Sequence, residues 1–174
     1  PASGVIANML PYFHDQGLSV GIASLTFSLF GAGALTGRPL WGYISSHFGV
    51  HVGLTIYGFS YALALASLAL GSNAITLMLA SFFVGIPTGG AAQLQGQAWP
   101  DFFGRRSVGG ITGITTLIIM PAMAAGPLVA ALAFDILGSY TFIFSAFGVG
   151  TAISGACFYL ARRPSLPASS ASPD

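Results

Sequence analysis

The chain has 174 residues, of which 54% are hydrophobic and only 5% charged, and it contains no Lys and no Glu. A soluble domain carries about 25% charged residues, so a water-exposed globule is excluded and lipid is the expected solvent for much of the chain. The net charge of +1 leaves no polybasic field for nucleic acid, and the single Cys157 excludes an internal disulfide or a cysteine-rich metal cluster.

A bilayer span needs about 20 mostly apolar residues. Residues 1–14 form a short apolar segment without a basic leader, and read as the tail of a helix that starts upstream. Gln16-Gly17-Leu18-Ser19 reads as a turn, with Ser19 as N-cap of a second helix from Val20 to Ser45. A loop is expected over Ser46-His47-Phe48-Gly49-Val50-His51, then a third helix from Val52 to Leu70. Gly71-Ser72-Asn73 is a turn too short for anything but adjacent antiparallel helices. The fourth helix runs from Ala74 to Trp99, followed by a polar loop from Pro100 to Arg106. The fifth spans Ser107 to Phe134, with Asp135 in the turn after it, and the sixth spans Tyr140 to Ala161. These segments are too long and too uniformly apolar for barrel strands, which take about 9–11 alternating residues. The fold class is all-α: a polytopic transmembrane helical bundle. Residues 1–163 form the six-helix bundle, and 164–174, rich in Ser, Pro and Ala, are an expected disordered tail.

Alternating directions put the 46–51 loop, the 100–106 loop and the tail on one side. Arg38, Arg105, Arg106, Arg162 and Arg163 all lie on or nearest to that side, and Asp15, Asn73 and Asp135 lie on the other. The positive-inside rule makes the arginine side cytoplasmic. A multi-pass protein of the plasma membrane (in a bacterium, the inner membrane) with a cytoplasmic C-terminus is expected.

Gly31, Gly33 and Gly37 in the second helix, Gly85 and Gly89 in the fourth, and Gly109 and Gly113 in the fifth suit close helix contacts. Pro39, Pro87, Pro121 and Pro127 within spans free carbonyls that need protein or water partners. The run Gly31 to Gly37 is no dinucleotide loop, because its spacing is one residue too long and it follows no strand.

Between Gln16 and Pro100, Arg38 is the only Arg, Lys, Asp or Glu. Seven residues before the expected helix end at Ser45, it lies roughly 10 Å inside the boundary. An arginine in a span costs about 2.5–3.5 kcal/mol on insertion scales. It is either a snorkelling or packing residue, or a cationic anchor whose planar fork holds an anion. No acid of this chain sits at its depth, so a counter-charge must come from elsewhere. Gln93 and Gln97, and Asn8 and Tyr12, are pairs spaced four apart that either bond to a neighbouring helix or line a wet cavity. Asp101 with Arg105 and Arg106 suits a loop-ordering ion pair, and His47 and His51 read as surface residues. No hydrolase, zinc-protease, phosphate-loop or Cys-x-x-Cys signature is present, so neither an enzyme nor a cofactor is expected.

Several motifs together carry a resemblance. They are Arg38-Pro39-Leu40-Trp41-Gly42, Phe103-Gly104-Arg105-Arg106 with Gly110, Gly126-Pro127-Leu128, and Phe134-Asp135-Ile136-Leu137-Gly138-Ser139-Tyr140. With six spans, they resemble the C-terminal half, helices seven to twelve, of a major facilitator superfamily transporter, in particular the monocarboxylate porter and oxalate/formate antiporter branch. The resemblance implies alternating access of two halves around a midplane site, with a missing N-terminal half as partner and a small organic anion as substrate. It implies that Arg38 binds the substrate carboxylate, with Asn8, Tyr12, Gln93 and Gln97 as further site candidates. Gly42, His47, Gly49, Asp101, Arg105 and Arg106 are candidates for the cytoplasmic loop and gate. Carriers of that branch often place an Asp one turn before the arginine. Ala34 stands there, so proton coupling has no residue in this half. The alternatives are a carrier of a neutral or cationic solute with Arg38 structural, and a truncated membrane protein that transports nothing.

Overall fold

The computed structural model describes residues 2–103, 108–137 and 140–160. Six α-helices follow one another: α1 Ala2–Asp15, α2 Val20–Phe48, α3 Val50–Ala69, α4 Ala74–Phe103, α5 Val108–Leu137 and α6 Tyr140–Leu160. Among the described residues there is no strand. By length and composition α2 to α6 each suffice to cross a membrane, whereas the 14 residues of α1 do not.

Two expected loops are corrected. The 46–51 loop is a single residue: α2 continues through His47 to Phe48, and α3 begins at Val50. Gly49 makes the reversal alone, at φ 83° and ψ 157°, a region open essentially to glycine. Residues 100–103, expected in a loop, are helical, because α4 runs through Pro100 and Asp101 to Phe103. The fifth helix likewise takes in Asp135, expected in a turn. Apolar length defines where a span must be helical, but a helix continues until a residue breaks its backbone. Gly49→Ala is therefore expected to cost about 1–3 kcal/mol, read as a lower unfolding temperature in detergent. Gly21→Ala, with open space at its Cβ and an ordinary φ, serves as control.

The turn at 16–19 forms as expected. Gly17 takes φ 75°, and Leu18 N–H donates to the Phe13 carbonyl at 3.1 Å, a glycine C-terminal closure. Ser19 occupies the N-cap position in extended conformation but makes no side-chain cap bond. At the 71–73 turn it is Thr76 that closes the helix start, its hydroxyl accepting from Asn73 N–H at 3.0 Å.

Helix contacts follow the glycines. A Cβ on Gly33 would meet the Phe82 carbonyl oxygen, and one on Gly37 the Ile86 carbonyl oxygen. One on Gly85 would meet the Phe30 carbonyl oxygen, and one on Gly89 that of Ala34. Thus α2 and α4 pack backbone against backbone, and the Trp41 indole N–H donates across the same contact to the Ile86 carbonyl at 2.9 Å. Gly58 meets Gly155 between α3 and α6, and Gly4 meets Gly126 between α1 and α5. Gly31, Gly109 and Gly113 have open space instead. One carbonyl freed by a proline finds its partner: Pro127 cannot donate to the Met123 carbonyl, and the Ser3 hydroxyl of α1 does so at 2.9 Å.

The contacts carry an internal symmetry. Exchanging α1 with α4, α2 with α5 and α3 with α6 carries the α2–α4 contact onto α5–α1 and α1–α2 onto α4–α5. It carries α2–α3 onto α5–α6, and α3–α6 onto itself. The exchange is weakest for α3–α4, whose image α6–α1 is an aromatic contact, Tyr12 packing edge-on against Tyr140 and Phe144. Helices three apart in an alternating series run in opposite directions, so this contact pattern is that of an inverted repeat of two three-helix units.

Two apolar clusters hold the bundle. One gathers Tyr12, Phe13, Tyr61, Leu65, Leu68, Leu77 and Phe144 toward the end where α1 meets α2. The other sets Trp41 with Val50, Leu54, Leu94 and Ala98 near Gly49. Large apolar side chains such as Leu35, Leu63, Ile75, Phe83 and Leu117 lie on the outside, the inverse of a water-soluble surface and the arrangement a lipid solvent favours.

Candidate functional site

Between the two clusters α1, α2 and α4 leave a cavity of about 350 Å³. From α2 it is lined by Phe30, Ala34 and Arg38, a stripe at steps of four on one helical face. The neighbouring stripe, Gly33, Gly37 and Trp41, is packed on α4. The close contact of the Gly33-Gly37-Trp41 stripe with α4 thus turns the Phe30-Ala34-Arg38 stripe toward the open space. From α4 come Thr88, Gly89, Ala92 and Gln93, and from α1 Ile6.

Because α2 ends at Phe48, Arg38 is about 15 Å from the helix end along the axis. Its side chain is exposed to the cavity side, and it makes no ion pair with any described residue. No acid lines the cavity. Thr88 has its hydroxyl proton committed to the Val84 carbonyl at 2.8 Å, which leaves its oxygen as an acceptor. Gln93 is exposed and makes no hydrogen bond among the described residues.

The other expected site residues are placed elsewhere. Tyr12 is 1% exposed, and its hydroxyl donates to the Leu68 carbonyl at 2.8 Å. Asn8 is buried, its amide donating to the Gly4 carbonyl one turn back at 2.8 Å. Neither lines the cavity, and nor does Gln97, one turn beyond Gln93 and partly buried. A spacing of four shows that two residues share a face but not which neighbour that face meets. Ile6, Phe30 and Thr88 were missed, although Phe30-Ala34-Arg38 was legible as a single stripe.

Of the gate candidates, Gly42 is not in a loop. It lies inside α2, and the Gln93 amide nitrogen sits 2.8 Å from where its Cβ would be. His47 is in the last turn of α2, stacked on the Tyr43 ring at 4.1 Å and 3.2 Å from the Ser46 hydroxyl. Asp101 is exposed on α4. Arg105 and Arg106 lie outside the described residues, as does the 164–174 tail. Among the described residues no group of three His, Cys, Asp or Glu side chains converges on a metal position.

A family model described as the Major Facilitator Superfamily matches residues 2–174. The chain belongs to the major facilitator superfamily. That family is one of transporters, so this multi-pass helical bundle is a membrane transporter protein. A search of curated proteins finds no match. Within this major facilitator chain, the inverted three-helix repeat and a cavity bounded by α1, α2 and α4 agree with transporter folds that bind at the interface of repeats.

Proposed function

We propose that this chain is the C-terminal six-helix half of a major facilitator carrier that moves small organic anions by alternating access, of the monocarboxylate or oxalate/formate type. The observation that carries the reading is the isolation of Arg38: a cation inside a span-length helix, turned into a cavity with no acid in its lining. A charge within a membrane span without a partner is costly, and a carboxylate brought in by the substrate is the group that offsets this cost, through two parallel N–H···O bonds. The lining supports anion exchange or uniport, since Ala34 is the residue one turn before the arginine and faces the same cavity without a titratable group. The other half closes the cavity and supplies the rest of the lining.

The test is counterflow in proteoliposomes. The whole carrier, preloaded with unlabelled monocarboxylate, is expected to accumulate the labelled acid transiently. No counterflow with any carboxylate, together with counterflow of a neutral or cationic solute, would sink the anion reading. The orientation is checked separately, in a variant lacking Cys157. A cysteine at Ser72 is expected to react with an impermeant thiol reagent from outside, and one at Gly104 only after permeabilisation; the reverse pattern overturns the positive-inside assignment.

A further inference from the structure

The geometry points to Gln93, seated on Gly42, as the group that reads a second, neutral polar function on the anion held by Arg38. The inference rests on the role of Arg38 proposed above. Gly42 is one helical turn beyond Arg38, on the same face of α2. The Gln93 amide of α4 lies directly over it, its nitrogen 2.8 Å from the position a Cβ would take. Real Cβ atoms essentially never come this close to another heavy atom, so any side chain at 42 displaces the amide. Glycine at 42 therefore allows the Gln93 amide to lie against α2 within a turn of the arginine.

The chemistry of the pair is divided. Arg38 offers charge and a planar fork of donors. Gln93 offers two N–H donors and a carbonyl acceptor without charge, and it makes no hydrogen bond among the described residues. A carboxamide with both functions unused matches a hydroxyl, oxo or amide group. The lining holds no second cation, so a second carboxylate finds no counter-charge in this wall. The wall therefore suits a monoanion with one neutral polar group better than a plain aliphatic acid or a dianion.

The experiment is competition against labelled butyrate counterflow by the whole carrier, using butyrate, 3-hydroxybutyrate and succinate, acids of equal chain length. The hydroxy acid is expected to compete about tenfold better than butyrate, the worth of one well-made hydrogen bond. Succinate is expected to compete worst. Gln93→Leu removes the amide at similar size and is expected to bring the hydroxy/plain ratio within about twofold of unity, the loss falling mainly on the hydroxy acid. Gly42→Ala keeps the amide but moves it, and is expected to lower the ratio as well. An unchanged ratio in Gln93→Leu overturns the inference. So does a loss of both acids alike in a variant that still purifies as a monodisperse protein, since that makes Gln93 a packing or gating residue. A wild-type ratio near one overturns it too while leaving the role of Arg38 standing. If no carboxylate competes and Arg38→Ala changes nothing, the anion reading itself fails.

Discussion

Arg38→Ala is expected to abolish carboxylate counterflow while leaving the protein at least as stable as the parent. The two halves of that result come from one observation. Arg38 makes no ion pair with any described residue, and its cavity holds no acid. Truncating it therefore strands no buried partner, which is the usual source of destabilisation when a buried charge is removed. It also removes an insertion cost of about 2.5–3.5 kcal/mol, so the unfolding temperature in detergent should hold or rise. The substrate, by contrast, loses the charge-assisted pair proposed for it. Such truncations cost about 2–5 kcal/mol, a fall in apparent affinity of roughly 30-fold to several thousandfold. Arg38→Lys keeps the charge and loses the fork, and should fall between, about tenfold or more below the parent. A packing arginine would give the opposite split, with Arg38→Ala lowering the unfolding temperature and leaving transport intact. The two measurements on one variant therefore separate the roles.

The fold was legible wherever solvent decides structure. Five apolar segments of span length, the turns at Gly17 and Gly71 to Asn73, and close packing at Gly33, Gly37, Gly85 and Gly89 all follow from what lipid demands of a chain. Where backbone stereochemistry decides, composition misled. His47 and His51 are polar, yet they sit in helices, because only Gly49 takes a conformation that stops α2, and Asp101 likewise lies inside α4. The site was legible in its central charge and not in its surroundings. Arg38 stood out because it is the only Arg, Lys, Asp or Glu between Gln16 and Pro100. Tyr12 carries a polar group just as visibly, but its hydroxyl is spent on the Leu68 carbonyl, 56 residues away in sequence, a pairing that only the three-dimensional packing supplies. Thr88 and Phe30 gave no signal by type, since each also suits an ordinary span.

Gly33→Ala and Gly85→Ala should be strongly damaging, as should Gly37→Ala and Gly89→Ala, which meet facing backbone at least as closely. Gly33 and Gly85 are each a wall for the other. A Cβ on Gly33 would strike the Phe82 carbonyl oxygen and come 3.2 Å from Gly85 Cα, and one on Gly85 would strike the Phe30 carbonyl oxygen and come 3.0 Å from Gly33 Cα. The obstacles are backbone atoms, which have no alternative rotamer, so α2 and α4 must move apart. Overpacking of this kind costs about 1–3 kcal/mol, and more where nothing yields. Moving the helices also lengthens the Trp41 bond to the Ile86 carbonyl and shifts Arg38 relative to Gln93, so transport should fall even at temperatures where the protein stays folded. Because Gly33→Ala and Gly85→Ala open the same crossing, the double variant should lose less than the sum of the two singles. Gly31→Ala on the same helix has open space and should be neutral or slightly stabilising through helix propensity. Thermal unfolding in detergent checks the series. Equal losses at positions 31 and 33 would mean that propensity, and not the α2–α4 contact, governs the response, and the backbone packing that turns Arg38 into its cavity would have to be abandoned.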